Sequence, residues 1–324
     1  MSFDGKGTSL SYRSLYDSIS MRAWKTGKTL FCPKTSLDDL LSGLKSALKG
    51  NVKADHPLKS FFVSVAQKLG RTLHGRRTQT LRLELILDPP RVIRAIIDYK
   101  IKIAKHSPKT RVEIEKLILD AVKLAQSVYL RSDSALSELL ELEAKIKKKD
   151  YGIYLSQECD DESAEAYSPN RSRASAKLLT TYPNLGNILF IALAHGAVPV
   201  GLDVYLRFLD ATPSSNSVFY PIRFSTEKHK DKKPRLSISE RKYLISVARG
   251  RNVVLFDEDS SGTTLGRADR FFRRLLNESG WSGEILGLTN AYRNNSFTTK
   301  RYATNSYSPA LLPRNIKNHY LHKV

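Results

Sequence analysis

Short apolar runs alternate with amphipathic segments between residues 181 and 292, and this alternation constrains the fold more than any other feature of the chain. The runs NILFIALA, SVFYPIRFS, NVVLF and EILGLT have the length and composition of buried strands. Helical patterns separate them. Strands that alternate with helices predict a parallel sheet covered by helices on both faces. Residues 181–292 are therefore predicted to form an α/β domain.

Residues 1–150 carry helical patterns instead. In TSLDDLLSGLKSALKGN, Ser36 is a candidate N-cap, Asp39 follows three residues later, and Gly50 is a candidate stop. DPPRVIRAIIDYKIKIAK is expected to begin a helix at Asp88, with proline in the first turn. The segment TLRLELIL alternates polar and apolar residues, which is the pattern of a strand. Further helices are predicted over HPLKSFFVSVAQKLG, RVEIEKLILDAVKLAQSVYL and DSALSELLELEAKIKKK.

Composition shifts set the predicted boundaries. Residues 151–180 include QECDDESAEAYSPNRSRASAK, which is poor in large apolar residues and is typical of a linker or surface loop. The polar residues 293–324 show no clear period and are expected to form a C-terminal tail. The predicted architecture is a mainly α-helical basic domain (1–150) followed by a parallel-sheet α/β domain (181–292).

The positive charge of the chain indicates an anionic partner. The chain has 53 Lys and Arg against 32 Asp and Glu, a net charge of +21, and residues 1–150 hold 29 basic and 16 acidic residues. Such an excess favours nucleic acid or a nucleoprotein, although charge alone confers no sequence specificity. GRTLHGRRTQTLR is interpreted as a basic loop between helices. It is either a phosphate clamp for nucleic acid or an exposed loop kept soluble by charge, and its candidate contacts are Arg71, Arg76, Arg77 and Arg82.

Several protein classes do not fit the sequence. No apolar run of about 18 residues predicts a membrane span, and the N-terminus lacks the pattern of a signal peptide. Cys32 and Cys159 are far apart and have no metal-ligand spacing, so a cytoplasmic location is expected. No Walker motif, zinc pattern or Ser–His–Asp pattern is present.

The stretch RNVVLFDEDSSGTTLGRADRFF at residues 251–272 carries the most chemical information. An apolar strand runs into three acids, which are followed by serines, a glycine and threonines, and a helix is expected to begin near Leu265. Small hydroxyl residues at a helix start suit a phosphate. The acids suit sugar hydroxyls or a hydrated divalent metal. The alternative is a buried strand followed by a solvated turn.

This stretch resembles the phosphate-loop motif of the type I phosphoribosyltransferases, carried here by residues 253–265. The resemblance implies a transferase-like fold that binds phosphoribosyl pyrophosphate with Mg²⁺. Asp257 and Glu258 would then act at the ribose and the metal. The 5-phosphate would be held by Ser260, Ser261, Gly262, Thr263 and Thr264.

Two further segments agree with the order of elements in this family. FIALAHGAVPVGLDVYL resembles its first strand, pyrophosphate-side loop and helix, with His195, Gly196 and Ala197 at the turn. TEKHKDKKPRLS lies where the family often carries a flexible hood over the site. Its cations would close over a pyrophosphate or form a solvated loop: Lys228, Lys230, Lys232, Lys233 and Arg235.

The register of the acids stays open at this point. Counting back from Gly262 with the family spacing places Asp257 at the second acidic position and Phe256 at the first. A loop one residue shorter would restore the acid pair as Asp257 and Glu258. The expected function is phosphoribosyl transfer to or from a nucleobase. The alternative is a non-catalytic sensor or effector of the same fold, of a defence or toxin type, whose basic helical domain binds nucleic acid or a nucleoprotein.

Overall fold

The computed structural model describes residues 36–54, 73–102, 108–147, 169–194, 196–224, 231–260, 263–293 and 307–312. For some residues in these ranges the structure describes the backbone but not the side chain. These are residues 50–54, 73–84, 86–87, 108–111, 169, 194, 258–260, 263, 291–293 and 307–312. The protein is a mixed α/β protein with a parallel sheet and mostly helical content. Among the described residues, no helix has the length and apolar character needed to cross a bilayer.

Four helices from the first half of the chain are described: α1 (Leu37–Ala54), α2 (Leu73–Lys102), α3 (Pro108–Tyr129) and α4 (Ala135–Lys147). The predicted cap of α1 is confirmed, because Ser36 Oγ accepts a hydrogen bond from the Asp39 backbone N–H at 3.1 Å. Gly50 continues the helix instead of ending it. The helix predicted over HPLKSFFVSVAQKLG lies outside the described residues.

Helix α2 corrects two expectations. The segment TLRLELIL is helical and not a strand, and the region interpreted as a basic loop is also part of α2 from Leu73 onward. Leucines that alternate along a strand also repeat at i and i+4, so the same pattern supplies a helical stripe. Leu85 is buried in that arrangement. The helix also passes through Pro89 and Pro90, which were expected to lie in its first turn.

The second half forms a five-stranded sheet in the order β2-β1-β3-β4-β5. Its strands are β1 (Ile188–Ala194), β2 (Val218–Arg223), β3 (Asn252–Ser260), β4 (Ile285–Arg293) and β5 (Tyr307–Leu312). The strands β1 to β4 are parallel, whereas β5 pairs antiparallel with β4. Helix α5 (Pro169–Thr181) precedes β1, and the helices between successive strands from β1 to β4 are α6 (Ala197–Ala211), α7 (Ile238–Ala248) and α8 (Thr263–Asn277).

Each face of the sheet buries its own apolar cluster. Phe190 of β1 and Val254 of β3 pack on the side of α6, in a cluster that also contains the apolar faces of α1 to α4. Leu255 of β3 packs on the opposite side with Leu265 and Phe272 of α8. The boundary near residue 150 therefore separates two patterns of secondary structure that share one hydrophobic cluster.

The helices α2 and α3 pack beside β2, the first strand in the order of the sheet. Lys100 of α2 forms an ion pair with Glu240 of α7, and Glu240 also accepts a hydrogen bond from the Tyr220 hydroxyl of β2 at 2.9 Å. Ser237, the N-cap of α7, donates a hydrogen bond to Glu115 of α3. Burial followed by the nearby Glu240 carboxylate raises the pKa of Tyr220 well above its usual value. These side-chain bonds therefore hold β2 at the edge where no described strand pairs with it.

Two segments expected to be irregular contain regular structure. Residues 169–181, within the range interpreted as a linker, form helix α5. Residues 307–312, within the expected tail, form β5. Helix α5 packs against α6, β4 and β5, so these segments contribute to the fold around the sheet.

Candidate functional site

The sheet changes winding direction between β1 and β3. These strands are parallel neighbours, with Ala192 in register with Phe256. The chain leaves β1 into α6 on one face and leaves β3 into α8 on the other. Connections that diverge in this way open a crevice at the carboxyl ends of the two strands, which is where ligands bind in open α/β sheets. The two loops singled out in the sequence follow these two strands.

The loop after β1 leads directly into a helix start. Gly196 is the N-cap of α6, and no side chain caps the helix there. Gly196 and Ala197, the described residues of this turn, are both buried and carry no large side chain. The first backbone N–H groups of a helix lack partners within the helix and attract anions. His195 lies outside the described residues.

The acids lie in a strand and not in a turn. Strand β3 continues to Ser260, and α8 begins at Thr263, two residues earlier than expected. Asp257 is buried, with 8% of its surface exposed, and is in register with Thr289 of β4. Thr264 is half-buried in the first turn of α8.

The remaining residues of the predicted phosphate loop lie beyond the description. Ser261 and Gly262 are outside the described residues, as are the side chains of Glu258, Ser260 and Thr263. Only two residues therefore separate the end of β3 from the start of α8.

Phe256 and Asp257 face opposite sides of the sheet. Successive side chains of a strand alternate in direction. Phe256 is fully buried on the α6 side, and its ring centroid lies 5.5 Å from that of Phe190. Asp257 follows the parity of Leu255, which packs on the α8 side. The first acidic position in the register counted from Gly262 is therefore filled by a core aromatic ring.

Arg223 reaches this edge of the sheet from β2, a residue that the sequence interpretation treated only as part of a strand. It is in register with Ala194, the last residue of β1, so it lies beside the loop that leads to α6. Its side chain is 13% exposed and forms an ion pair of 3.2 Å with Asp98 of α2. Its buried Nε makes no hydrogen bond to the described residues. An arginine with an unused buried donor beside a helix start is suited to an anion.

A buried polar cluster lies at the end of β4. Asn290 is fully buried, accepts a hydrogen bond from Ser175 Oγ at 2.6 Å and donates one to Ser172 Oγ at 3.1 Å. Both serines belong to α5. Sequence reasoning missed them because residues 151–180 were interpreted as a linker. Their spacing of three residues, which places both on one helical face, was the available signal.

The described part of the predicted hood lies against α8. Asp231 is buried and forms an ion pair with Arg235, and its backbone carbonyl accepts a hydrogen bond from Arg267 of α8 at 3.5 Å. Lys232 and Lys233 are exposed. Lys228 and Lys230 lie outside the described residues.

Three of the four predicted nucleic-acid contacts lie in a helix and not in a loop. Arg76, Arg77 and Arg82 belong to helix α2, and their side chains are outside the description. Arg71 lies outside the described residues. At these three positions a helical segment therefore stands where a basic loop was expected.

A cleft of about 670 Å³ opens at the opposite edge of the sheet, near the amino ends of β1 and β3. It is lined by the turns at 184–187, 249–252 and 279–283. The indole N–H of Trp281 donates to the backbone carbonyls of Ala248 and Arg251, both at 3.0 Å, which fixes these turns. Parallel sheets bind ligands at their carboxyl edge, so the size of this cleft does not make it the preferred site.

Comparison of the chain with models of protein families, with curated proteins and with solved structures gave no match. The described side chains contain no group of three or more His, Cys, Asp or Glu residues arranged to hold a metal ion. The fold defines a class of architecture, an α/β protein in which two helices start beyond the carboxyl ends of the neighbouring strands β1 and β3.

Proposed function

We propose that the crevice at the carboxyl ends of β1 and β3 binds phosphoribosyl pyrophosphate or a related sugar phosphate. The supporting observation is the adjacency of β1 and β3, because two loops that are distant in sequence then end at the same crevice. Each loop leads into a helix start, at Ala197 and at Thr263. A ligand with two separate phosphate groups would use both.

The phosphates are assigned to the two helix starts. The pyrophosphate group would contact the turn formed by His195, Gly196 and Ala197, with Arg223 as an additional cation beside it. The 5-phosphate would lie at the start of α8, held by Ser260, Ser261, Gly262, Thr263 and Thr264.

The ribose is assigned to the end of β3. Asp257 and Glu258 would accept hydrogen bonds from the ribose hydroxyls and would hold Mg²⁺ together with the ligand phosphates. The fit is reasonable because Mg²⁺ often uses one or two carboxylates plus substrate phosphates and water. Asp257, three residues before the end of β3, is the described carboxylate for such a site. The metal would supply charge neutralisation of the pyrophosphate.

In the catalytic form of this proposal, the bond between ribose C1 and the pyrophosphate oxygen breaks while a nucleobase nitrogen bonds to C1. Pyrophosphate leaves with the bonding electron pair, and the base nitrogen loses its proton. The transition state has oxocarbenium character, so the contribution of the protein is positioning and charge stabilisation. Asp257 and Glu258 are the proposed catalytic residues.

The test is calorimetric titration of the full chain with phosphoribosyl pyrophosphate and Mg²⁺. Asp257→Ala should abolish binding, and Asp257→Asn should weaken it while preserving the side-chain shape. Asp133→Ala, which changes an exposed acid in the turn before α4, is the charge-matched control. Circular dichroism verifies that each variant is folded. Unchanged affinity in both folded Asp257 variants would overturn the proposal.

A second candidate is a module that binds the ligand without turning it over, as a sensor or effector. The buried position of Phe256 favours it, because a family-type acid pair counted from Gly262 would need a carboxylate in the core. Its signature is ligand binding without pyrophosphate release across a panel of nucleobases. Release with any base would favour the enzyme.

In this second candidate the basic helical region would bind nucleic acid or a nucleoprotein. The purified protein should then carry nucleic acid, seen as a raised ratio of absorbance at 260 and 280 nm. A wash in high salt should lower that ratio, because phosphate contacts depend on counterion release. Protein that is free of nucleic acid and shows no salt-dependent binding would contradict this candidate.

A further inference from the structure

The outer side of α7 and α8 carries a row of cations, which we call the basic face. It comprises Arg241, Lys242, Arg267, Arg270 and Arg274. On α8, the arginines at 267, 270 and 274 follow the spacing of one helical face. Lys242, Arg270 and Arg274 are exposed, whereas Arg241 and Arg267 are half-buried.

The two helices present these cations on one continuous surface. They pack against each other, and the Arg241 guanidinium of α7 lies 5.9 Å from the ring centroid of Phe271 of α8. This cation–π contact holds Arg241 beside the arginines of α8. Lys232 and Lys233, which are exposed in the segment before α7, extend the same charge.

Acids of this region do not neutralise the surface. Asp269 is 3% exposed and forms an ion pair with Arg273, and Glu240 is 2% exposed and forms one with Lys100. Asp231 is likewise buried and bound to Arg235. These three carboxylates are therefore withdrawn into local pairs. The exposed Glu278, one turn after Arg274, is the acid that reaches solvent at the end of this row, and the five cations still leave the surface with an excess of positive charge.

The geometry fits the backbone of a nucleic acid. Positions 267 and 274 are seven residues apart, which is about 10 Å along a helix axis. A nucleic-acid strand offers one phosphate per about 3.4 Å of its axis, so this row spans about three phosphates. Arginine has a planar fork of donors that matches phosphate oxygens.

A membrane surface fits this region less well. An interfacial helix exposes a broad apolar side to the lipid. Here the main apolar side chains of α8, such as Leu265 and Phe272, are buried against the sheet. The exposed side is charged instead.

We propose that the basic face binds the sugar-phosphate backbone of a nucleic acid. This surface is separate from the helix α2 positions considered above and shares with the second candidate only the class of partner. It does not rest on the sugar-phosphate crevice. Helix α8 begins at the proposed sugar-phosphate crevice, so a nucleic-acid strand bound along α8 would run towards that crevice.

The experiment is fluorescence anisotropy of the full chain with labelled single-stranded RNA, single-stranded DNA and duplex DNA of equal length, over a series of salt concentrations. Arg270→Ala/Arg274→Ala should weaken binding at least about tenfold near 0.1 M salt. It should reduce the slope of log affinity against log salt by about 1.8 for a duplex or about 1.4 for a single strand. The three probes distinguish which nucleic acid supplies the backbone.

Two variants serve as controls. Lys116→Ala/Lys123→Ala removes the same charge from exposed positions of α3 and should leave the affinity within about twofold. Arg76→Ala/Arg77→Ala removes it from α2 and tests the earlier assignment. Equal losses in the α8 and α3 variants would overturn the basic face, since net charge alone would then explain binding.

Three other outcomes would also overturn the proposal. These are a loss confined to the α2 variant, absence of binding to all three probes, and equally effective competition by polyglutamate of matched charge. A loss confined to the α2 variant would nevertheless support the second candidate. The calorimetric titration with phosphoribosyl pyrophosphate is unaffected by any of these results, so the two proposals fail independently.

Discussion

The packing of the Phe256 ring against Gly201 of α6 leads to a quantitative prediction about stability. The ring fills the core immediately before Asp257 of the candidate site. A Cβ atom added at Gly201 of α6 would lie 2.9 Å from Cδ1 of Phe256 and 3.2 Å from Cε1 of Phe190. Contacts below about 3.0 Å force a shift of one partner. The helix therefore approaches the sheet this closely because residue 201 has no side chain.

The effect of Gly201→Ala on the free energy of unfolding should change sign when the Phe256 ring is removed. In the wild-type background, Gly201→Ala overpacks the core by about 1–3 kcal/mol, offset by up to about 1 kcal/mol of helix propensity. Its net effect is a destabilisation of up to about 3 kcal/mol. Phe256→Ala alone should cost about 3–5 kcal/mol through the lost ring and the cavity. In that background the added Cβ no longer meets the ring of residue 256 and keeps only the 3.2 Å approach to Phe190. The gain in helix propensity should then dominate, so Gly201→Ala should stabilise by up to about 1 kcal/mol.

The assay is urea unfolding of the four proteins of this double-mutant cycle, followed by far-ultraviolet circular dichroism. We expect a coupling free energy of about 1–3 kcal/mol, within the range for contacting residues. If Phe256→Ala does not fold, Phe256→Leu replaces it with the same expected sign. Gly201→Ala effects that agree within about 0.5 kcal/mol in both backgrounds would refute the reasoning. Folded Phe256→Leu should also retain sugar-phosphate binding, because the ring faces the core.

Two further predictions concern charges that join the elements of the fold. Glu240→Gln should lower the free energy of unfolding by about 3–5 kcal/mol in urea titrations, because it leaves the buried Lys100 without its counter-charge. The double variant Lys100→Met/Glu240→Gln should lower the free energy of unfolding by less, since no unpaired charge remains. An equal decrease in the single and double variants would contradict this explanation. Hydrogen bonds from Lys147 and Lys45 lower the pKa of Glu143, so its stabilisation is present above the unfolded-state pKa of about 4.3 and is lost as pH falls through the folded-state value. Glu143→Gln should therefore lower the urea midpoint of unfolding near neutral pH, and its midpoint should equal that of the wild type in strong acid. A difference between the two midpoints that persists in strong acid would contradict the proposed contribution of the ion pairs.

Local sequence patterns predicted much of the secondary structure because they depend on neighbours within one turn or one strand. The cap at Ser36 needs only the backbone N–H of Asp39, three residues away. The apolar runs that became β1 and β3 were similarly readable, since a buried strand needs a short β-prone run. The helix of α8 was found for the same reason, although it begins at Thr263 and not near Leu265.

The errors arose where one local pattern serves two structures. Alternating leucines before Asp88 satisfy both a strand and an i, i+4 helical stripe, and packing of Leu85 in the core selects the helix. The polar serines of α5 resembled a linker, yet Ser172 and Ser175 bind the buried Asn290. Such hydrogen bonds cross more than 100 positions of the chain and leave no local signal.

The sequence by itself determined that the second half alternates strands with helices, and that acids and hydroxyl residues follow one apolar run while a glycine follows another. It determined these features because periodicity and composition act over a few residues. Only the tertiary structure decided that β1 and β3 are neighbours, that Arg223 ends beside the same crevice, and that Phe256 fills the core against Gly201. The physical reason is that strand order and close packing depend on contacts between distant segments, whose free energy is shared across the whole sheet.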